Sequence, residues 1–235
     1  MKKYRWILLD ADNTLLDFER CERDAFRDAA SAFGVEPSDE NLSLYSRIND
    51  ALWKKLEQGL VTKEQVKYNR FSEFLRALGE TENADENGRA MADCYMNALS
   101  GYNWELPGAY ECCEKLSSCG YRLNIITNGV DFIQNRRVRG SRLNNFFDSV
   151  FISDEIHAQK PDRAFFDAVA AKIADFDREY ALVVGDSLTS DIKGGINYGT
   201  DTCWLNMTGK TAPEDKKPTY IIKDISELTE LLECE

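Results

Sequence analysis

Residues 10–14, DADNT, place Asp10 and Asp12 directly after an apolar run, Trp6 to Leu9, with Thr14 behind them. Side chains alternate along an extended strand, so carboxylates two positions apart face the same way. Two carboxylates in one pocket can divide labour, one attacking as a nucleophile and the other moving a proton. By itself the fragment reads equally well as a solvated turn capped by Asp12 and Thr14.

Three further fragments carry chemistry of a matching kind. IITNGV ends an apolar run in Thr127, Asn128 and Gly129, a hydroxyl and backbone N–H groups suited to phosphate oxygens. HAQKPD sets Lys160 before Pro161, where an ammonium can face a phosphate and a carboxylate. GDSLTSD puts Asp186 after another apolar run with Asp191 close behind, hard oxygen donors that suit Mg²⁺. Each has a plainer reading: an N-cap with a turn glycine, a surface lysine, and an aspartate capping a helix.

The elements that position these residues follow from the hydropathy pattern. Apolar runs at 5–9, 121–127, 149–153, 180–185, 202–205 and 219–222 predict buried strands. Helical patterns at 107–119, 161–174, 191–198 and 226–232 lie between or after them. Strands alternating with helices predict an α/β fold, a Rossmann-like, doubly wound parallel sheet. From about 21 to 100 no strand pattern occurs; four helical stretches run on, each ending at or near a glycine. The expected organisation is a core of residues 1–18 and 101–235 with an inserted all-helical cap of 19–100. Such a cap is expected over the carboxyl ends of the strands, where open α/β sheets bind ligands. All four chemical fragments fall at predicted strand ends, hence at one edge of one sheet.

The order acid pair, Thr127, Lys160, acid pair resembles the four motifs of the haloacid dehalogenase superfamily. The resemblance spans essentially the whole chain, insert included. It implies that Asp10 is the nucleophile and forms an aspartyl-phosphate, and that Asp12 is the general acid and then base. It implies that Thr14 fixes the loop, and that Thr127, with the backbone near Asn128, binds phosphoryl oxygens. Lys160 would pair with Asp10 and the phosphate. Mg²⁺ would be held by Asp10, the Asp12 backbone carbonyl and Asp186, with Asp191 in support. Physically, an anionic nucleophile nearing an anionic phosphate is repelled, and a metal ion and Lys160 remove that repulsion.

Asp12 narrows the reaction. Superfamily dehalogenases lack this second aspartate, because a leaving halide needs no proton, whereas phosphatases and sugar phosphate mutases keep it. The strings DADNTLLDF, INDALWKKLEQGLVT, NRFSEFL, LPGAYE, IITNGV and DIKGGINYGTDTCWLN resemble the bacterial pyrimidine 5′-nucleotidases. That branch implies hydrolysis of pyrimidine nucleoside 5′-monophosphates, with N-acylneuraminate-9-phosphate or another sugar phosphate as the alternative substrate. Arg142 and His157 depart from the branch, standing where relatives have glycine and a small residue beside the site. A catalytically idle binding protein on the same scaffold is the reading from a different class.

Composition bounds the rest. The 235 residues carry a net charge of −12, which disfavours nucleic acid polymers and anionic membranes and leaves room for a small anionic substrate; the resemblance implies that this partner is a small phosphate monoester. Seven cysteines without a CxxC pair, and one histidine, His157, argue against a zinc site and for reduced thiols. The opening MKKYRWILLDAD has too short an apolar run for a secretory signal, so a cytoplasmic location is expected. In the insert, Trp53, Arg70 and Phe71 could meet a base, but Trp53 and Phe71 read first as packing. Cys112 and Cys113 likewise read as helix packing.

Overall fold

The computed structural model describes residues 4–212 and 217–234. Strand β1 (Trp6–Leu9) leads into four helices, α1 (Phe18–Ala32), α2 (Asp39–Glu57), α3 (Lys63–Ala77) and α4 (Ala84–Leu99). The chain then runs α5 (Ala109–Ser118), β2 (Arg122–Thr127), α6 (Asp131–Gly140), β3 (Phe147–Ile152), α7 (Ser153–Ile156) and α8 (Arg163–Lys172). It ends with β4 (Ala181–Gly185), α9 (Lys193–Tyr198), β5 (Asp201–Leu205), β6 (Tyr220–Ile222) and α10 (Glu227–Leu231). Every predicted strand forms, with ends shifted by no more than a few residues. Helix α6 lies outside the helical patterns of the sequence.

Contacts divide the chain into two units, Met1–Phe18 with Asn103–Glu235, and Glu19–Tyr102. The first unit holds a six-stranded sheet in the order β3-β2-β1-β4-β5-β6, parallel throughout. Strand β1 is central, and the order reverses direction beside it, which is where open α/β sheets place their ligand crevice. Alternation along β1 assigns its residues to two cores. Ile7 and Leu9 pack with Cys112, Cys113 and Leu116 of α5 and with Leu228 of α10. Leu8 packs on the other face with Phe165, Phe166 and Val169 of α8. Burial on both faces explains why the strands read as continuous apolar runs.

The second unit, Glu19–Tyr102, has its own core of rings: Tyr45 stacks on Phe71 at 4.8 Å, and Phe26 and Tyr95 close around them. Phe71 is fully buried, as packing required. Arg70 is also buried, set over the Tyr95 ring at 4.7 Å and donating to Asn49 Oδ1. Helices α3 and α4 approach closely at Gly88, where a Cβ would lie 2.6 Å from the Ser72 backbone nitrogen. Ser38 caps α2, and Thr62 with Gln65 forms a capping box on α3. Gly34, Gly59 and Gly79 take positive φ values just after α1, α2 and α3.

Candidate active site

Asp10 follows the last residue of β1, and its backbone N–H still donates to Val184 O of β4 at 2.9 Å. The sheet ladder thus holds Asp10 as firmly as a strand residue. Thr127 is the last residue of β2, and Asp186 follows the last residue of β4. Strands β2, β1 and β4 are neighbours, so their carboxyl ends bring the acid pair, the hydroxyl and the second acid together.

Lys160 enters from the loop between α7 and α8, and its segment is clamped by Asn128. The Asn128 amide donates to Lys160 O at 2.8 Å, and Lys160 N donates to Asn128 Oδ1 at 2.8 Å. The Asn128 side chain therefore places the lysine. Lys160 Nζ donates to Asp10 Oδ1 at 2.6 Å, Asp191 Oδ1 at 2.7 Å and Ile126 O at 2.8 Å. An ammonium has three protons, and each has an acceptor. Lys160 is only 3% exposed, so this is a fully desolvated cation rather than a surface lysine. Burial opposes its charge, but Asp10 and Asp191 outweigh burial and hold its pKa above the usual lysine value.

Asp191 is fully buried. The sequence pattern suggests a helix starting there, but the chain instead makes a π-helical turn, Leu188–Ile192, before α9. That turn brings Asp191 Oδ2 within 3.1 Å of the Ser187 N–H. Gly185 makes the approach possible, since a Cβ there would lie 2.2 Å from Asp191 Oδ2. Gly185→Ala is expected to destabilise the protein by about 1–3 kcal/mol, because Asp191 is held by Lys160 and has no direction in which to retreat. Urea unfolding measures this; an unchanged midpoint would mean that the turn absorbs the methyl group.

Asp12 faces two partners delivered by α6. Arg137 Nη1 donates to Asp12 Oδ1 at 2.5 Å, and Gln134 Nε2 donates to Asp12 Oδ2 at 2.6 Å. Both donors lie one helical turn apart on α6, the element that the pattern concealed. Gln134 Nε2 also donates to Thr127 Oγ1 at 2.9 Å. The only local hint was the spacing of Gln134 and Arg137, i and i+3 just after the Thr127 turn. Thr14 is buried, and its hydroxyl has no hydrogen-bond partner among the described residues. Backbone bonds hold the loop instead, Leu15 N and Leu16 N both donating to Ala11 O. Arg142 does not serve the acidic site: its guanidinium forks onto Glu105 and covers the Tyr110 ring. His157 is exposed, in a left-handed conformation at the end of α7.

Asp10, Asp186 and Asp191 each present a carboxylate oxygen within 4.8 Å of the others. Burial pushes the Asp10 carboxyl well above the usual carboxylate range, against the pull of Lys160 and with the push of Asp191 and Asp186. Burial and Asp191 raise Asp186 to about 7. Three carboxylates gather around one ammonium, so the cluster carries more negative charge than Lys160 neutralises. Hard oxygen donors with surplus negative charge fit a divalent cation such as Mg²⁺. Asp191 is committed to Lys160 and Ser187, which leaves Asp10 and Asp186 as the side chains with capacity for it.

Comparison with known proteins identifies the family. The model of the haloacid dehalogenase-like hydrolase family matches residues 4–199. Pyrimidine 5′-nucleotidase PynA of Streptococcus pneumoniae is 35% identical over 98% of this chain and 94% of its own length. Pyrimidine 5′-nucleotidase YjjG of Escherichia coli is 32% identical over 98% of both. The crystal structure of Bacillus subtilis YfnB bound to magnesium superposes with a TM-score of 0.92 at 35% identity, covering 98% of this chain and 99% of that one. With its motif residues gathered at the carboxyl ends of β1, β2 and β4, the chain belongs to the haloacid dehalogenase-like hydrolase family.

Proposed function

We propose that the protein is a Mg²⁺-dependent phosphomonoesterase that works through an aspartyl-phosphate on Asp10, with pyrimidine nucleoside 5′-monophosphates as its substrates. The observation that carries the reading is the pairing of buried Asp10 with Lys160 while a second carboxylate, Asp12, stands two residues away. Asp10 Oδ1 is held by Lys160, so the carboxylate is oriented before substrate arrives. Asp12 gives a proton to the leaving alcohol and recovers it from the attacking water. Thr127 and the backbone beside Asn128 receive phosphoryl oxygens, and Lys160 balances their charge. When bound, by Asp10, Asp186 and the Asp12 carbonyl with Asp191 in support, Mg²⁺ supplies charge neutralisation between nucleophile and phosphate.

The two nucleotidase relatives, each matched over nearly the whole chain, support the substrate class. The helical unit is read as the cap that selects among esters, because the groups around Asp10 address only the phosphoryl end. A cytoplasmic location is read from the odd number of cysteines, seven, and the lack of a CxxC pair. Among the described residues no helix is long and apolar enough to cross a membrane.

The test is kcat/KM for thymidine, deoxyuridine, deoxyadenosine and deoxyguanosine monophosphates beside N-acetylneuraminate 9-phosphate. Pyrimidines are expected to lead, with preferences of roughly tenfold, since one or two hydrogen bonds to a base discriminate by that much. Chelation is expected to stop turnover and added Mg²⁺ to restore it. A lead for purines or for the sugar acid phosphate overturns the nucleotide assignment, and full activity after exhaustive chelation overturns the metal requirement.

A further inference from the structure

Thr127 Oγ1 accepts two hydrogen bonds, from Gln134 Nε2 at 2.9 Å and from the Gly129 N–H at 3.2 Å. A hydroxyl has two acceptor positions and one proton. With both acceptor positions filled, the Thr127 hydroxyl has only its proton left to offer. A phosphoryl oxygen is an acceptor, so this is the polarity that a phosphate requires.

Gln134 cannot reverse that polarity by turning its amide. Its Oε1 accepts from Arg137 Nη1 at 3.0 Å, and its Nε2 also donates to Asp12 Oδ2 at 2.6 Å. A flipped amide would aim a carbonyl at a carboxylate and an NH₂ at a guanidinium. Arg137 closes the ring on Asp12 Oδ1. Gln134 and Arg137 are each 1% exposed, so water does not compete for these bonds. Gly129 leaves the space, since a Cβ there would lie 2.4 Å from Gln134 Nε2.

We infer that Gln134 is a positioning residue that turns the Thr127 hydroxyl into a hydrogen-bond donor for the transferring phosphoryl group and, with Arg137, holds the Asp12 carboxylate. The inference rests on the phosphomonoesterase reading. One amide thereby ties the phosphate-binding hydroxyl to the acid/base group, across sequence separations of 7 and 122 residues.

Gln134→Glu is nearly isosteric but offers acceptors where the amide offered donors, so it takes up the Thr127 proton. The measurement is competitive inhibition of aryl phosphate hydrolysis by orthophosphate in a double-mutant cycle with Thr127→Val. The added charge acts in both backgrounds, so the coupling between the two sites isolates the hydroxyl. A coupling of about tenfold in Ki is expected, the worth of one hydrogen bond to a charged acceptor. A merely structural role for Gln134 would raise Ki by the same factor with or without the hydroxyl. Thermal unfolding checks each variant, and if Gln134→Glu does not fold, Gln134→Met enters the same cycle with coupling of the same sign. Wild-type turnover with additive effects overturns the inference alone. A wild type that hydrolyses no phosphate monoester overturns the phosphatase reading, and the inference with it.

Discussion

Asp10→Asn yields a folded protein whose turnover of phosphate monoesters falls by at least about 10⁴-fold, as expected when a covalent nucleophile is removed. The amide has the size of the carboxylate and can still accept from Lys160, so the buried contact survives. What is lost is the anionic oxygen that attacks phosphorus. Asp12 does not substitute for it, because Lys160 orients Asp10, whereas the Asp12 carboxylate is held by Arg137 and Gln134. Phosphate release read beside a thermal melt decides the matter. A folded variant that retains more than about a hundredth of wild-type turnover is incompatible with attack by Asp10.

Lys160→Met is expected to cost both activity and stability. Removing one partner of a buried ion pair typically destabilises by about 3–5 kcal/mol, because the partner's charge stays buried. Here two carboxylates, Asp10 and Asp191, lose the same ammonium. The loss depends on pH with a definite sign. Burial already raises the Asp10 carboxyl, and Lys160 is the group that pulls it down. Without Lys160 its folded-state pKa climbs further above the unfolded value of 3.8. Between those two values the folded state binds more protons than the unfolded one, so stability falls as pH rises. The deficit relative to wild type should therefore be small near pH 4 and widen towards neutrality. Urea unfolding across that range, in chelator so that metal does not replace the lost charge, measures it. A deficit that does not change with pH would mean that Asp10 is not the group left unpaired.

The parts that could be read from the residues share one property: they are local or periodic. Each strand of the sheet is an apolar run bounded by turn residues, because burial on both faces demands it. Asp10, Thr127 and Asp186 stand at the ends of such runs, so their convergence on one sheet edge follows from parallel topology alone. The helices of the insert announced themselves by periodicity and by closing glycines. Phe71 was legible as packing because it recurs with other apolar residues on the inner face of its helix.

Only the tertiary structure decided what surrounds these groups. Helix α6, DFIQNRRVRG, is crowded with polar and charged residues, and two of the buried ones are Gln134 and Arg137. A helix that buries polar side chains shows no clean apolar stripe, so no periodic signal marks it. Their partner Asp12 lies more than 120 residues away in sequence, and no local rule pairs them. Asp191 was visible as an acid, but the π-helical turn that drives it against Lys160 depends on the bare backbone at Gly185 and on a lysine 31 residues earlier. The amino-acid sequence by itself determined the sheet, the inserted helices and the chemical groups at the strand ends, because burial and strand alternation act over a few neighbouring residues. Folding alone decided which carboxylate meets which cation, because a buried charge is stable only beside a partner that the distant chain delivers.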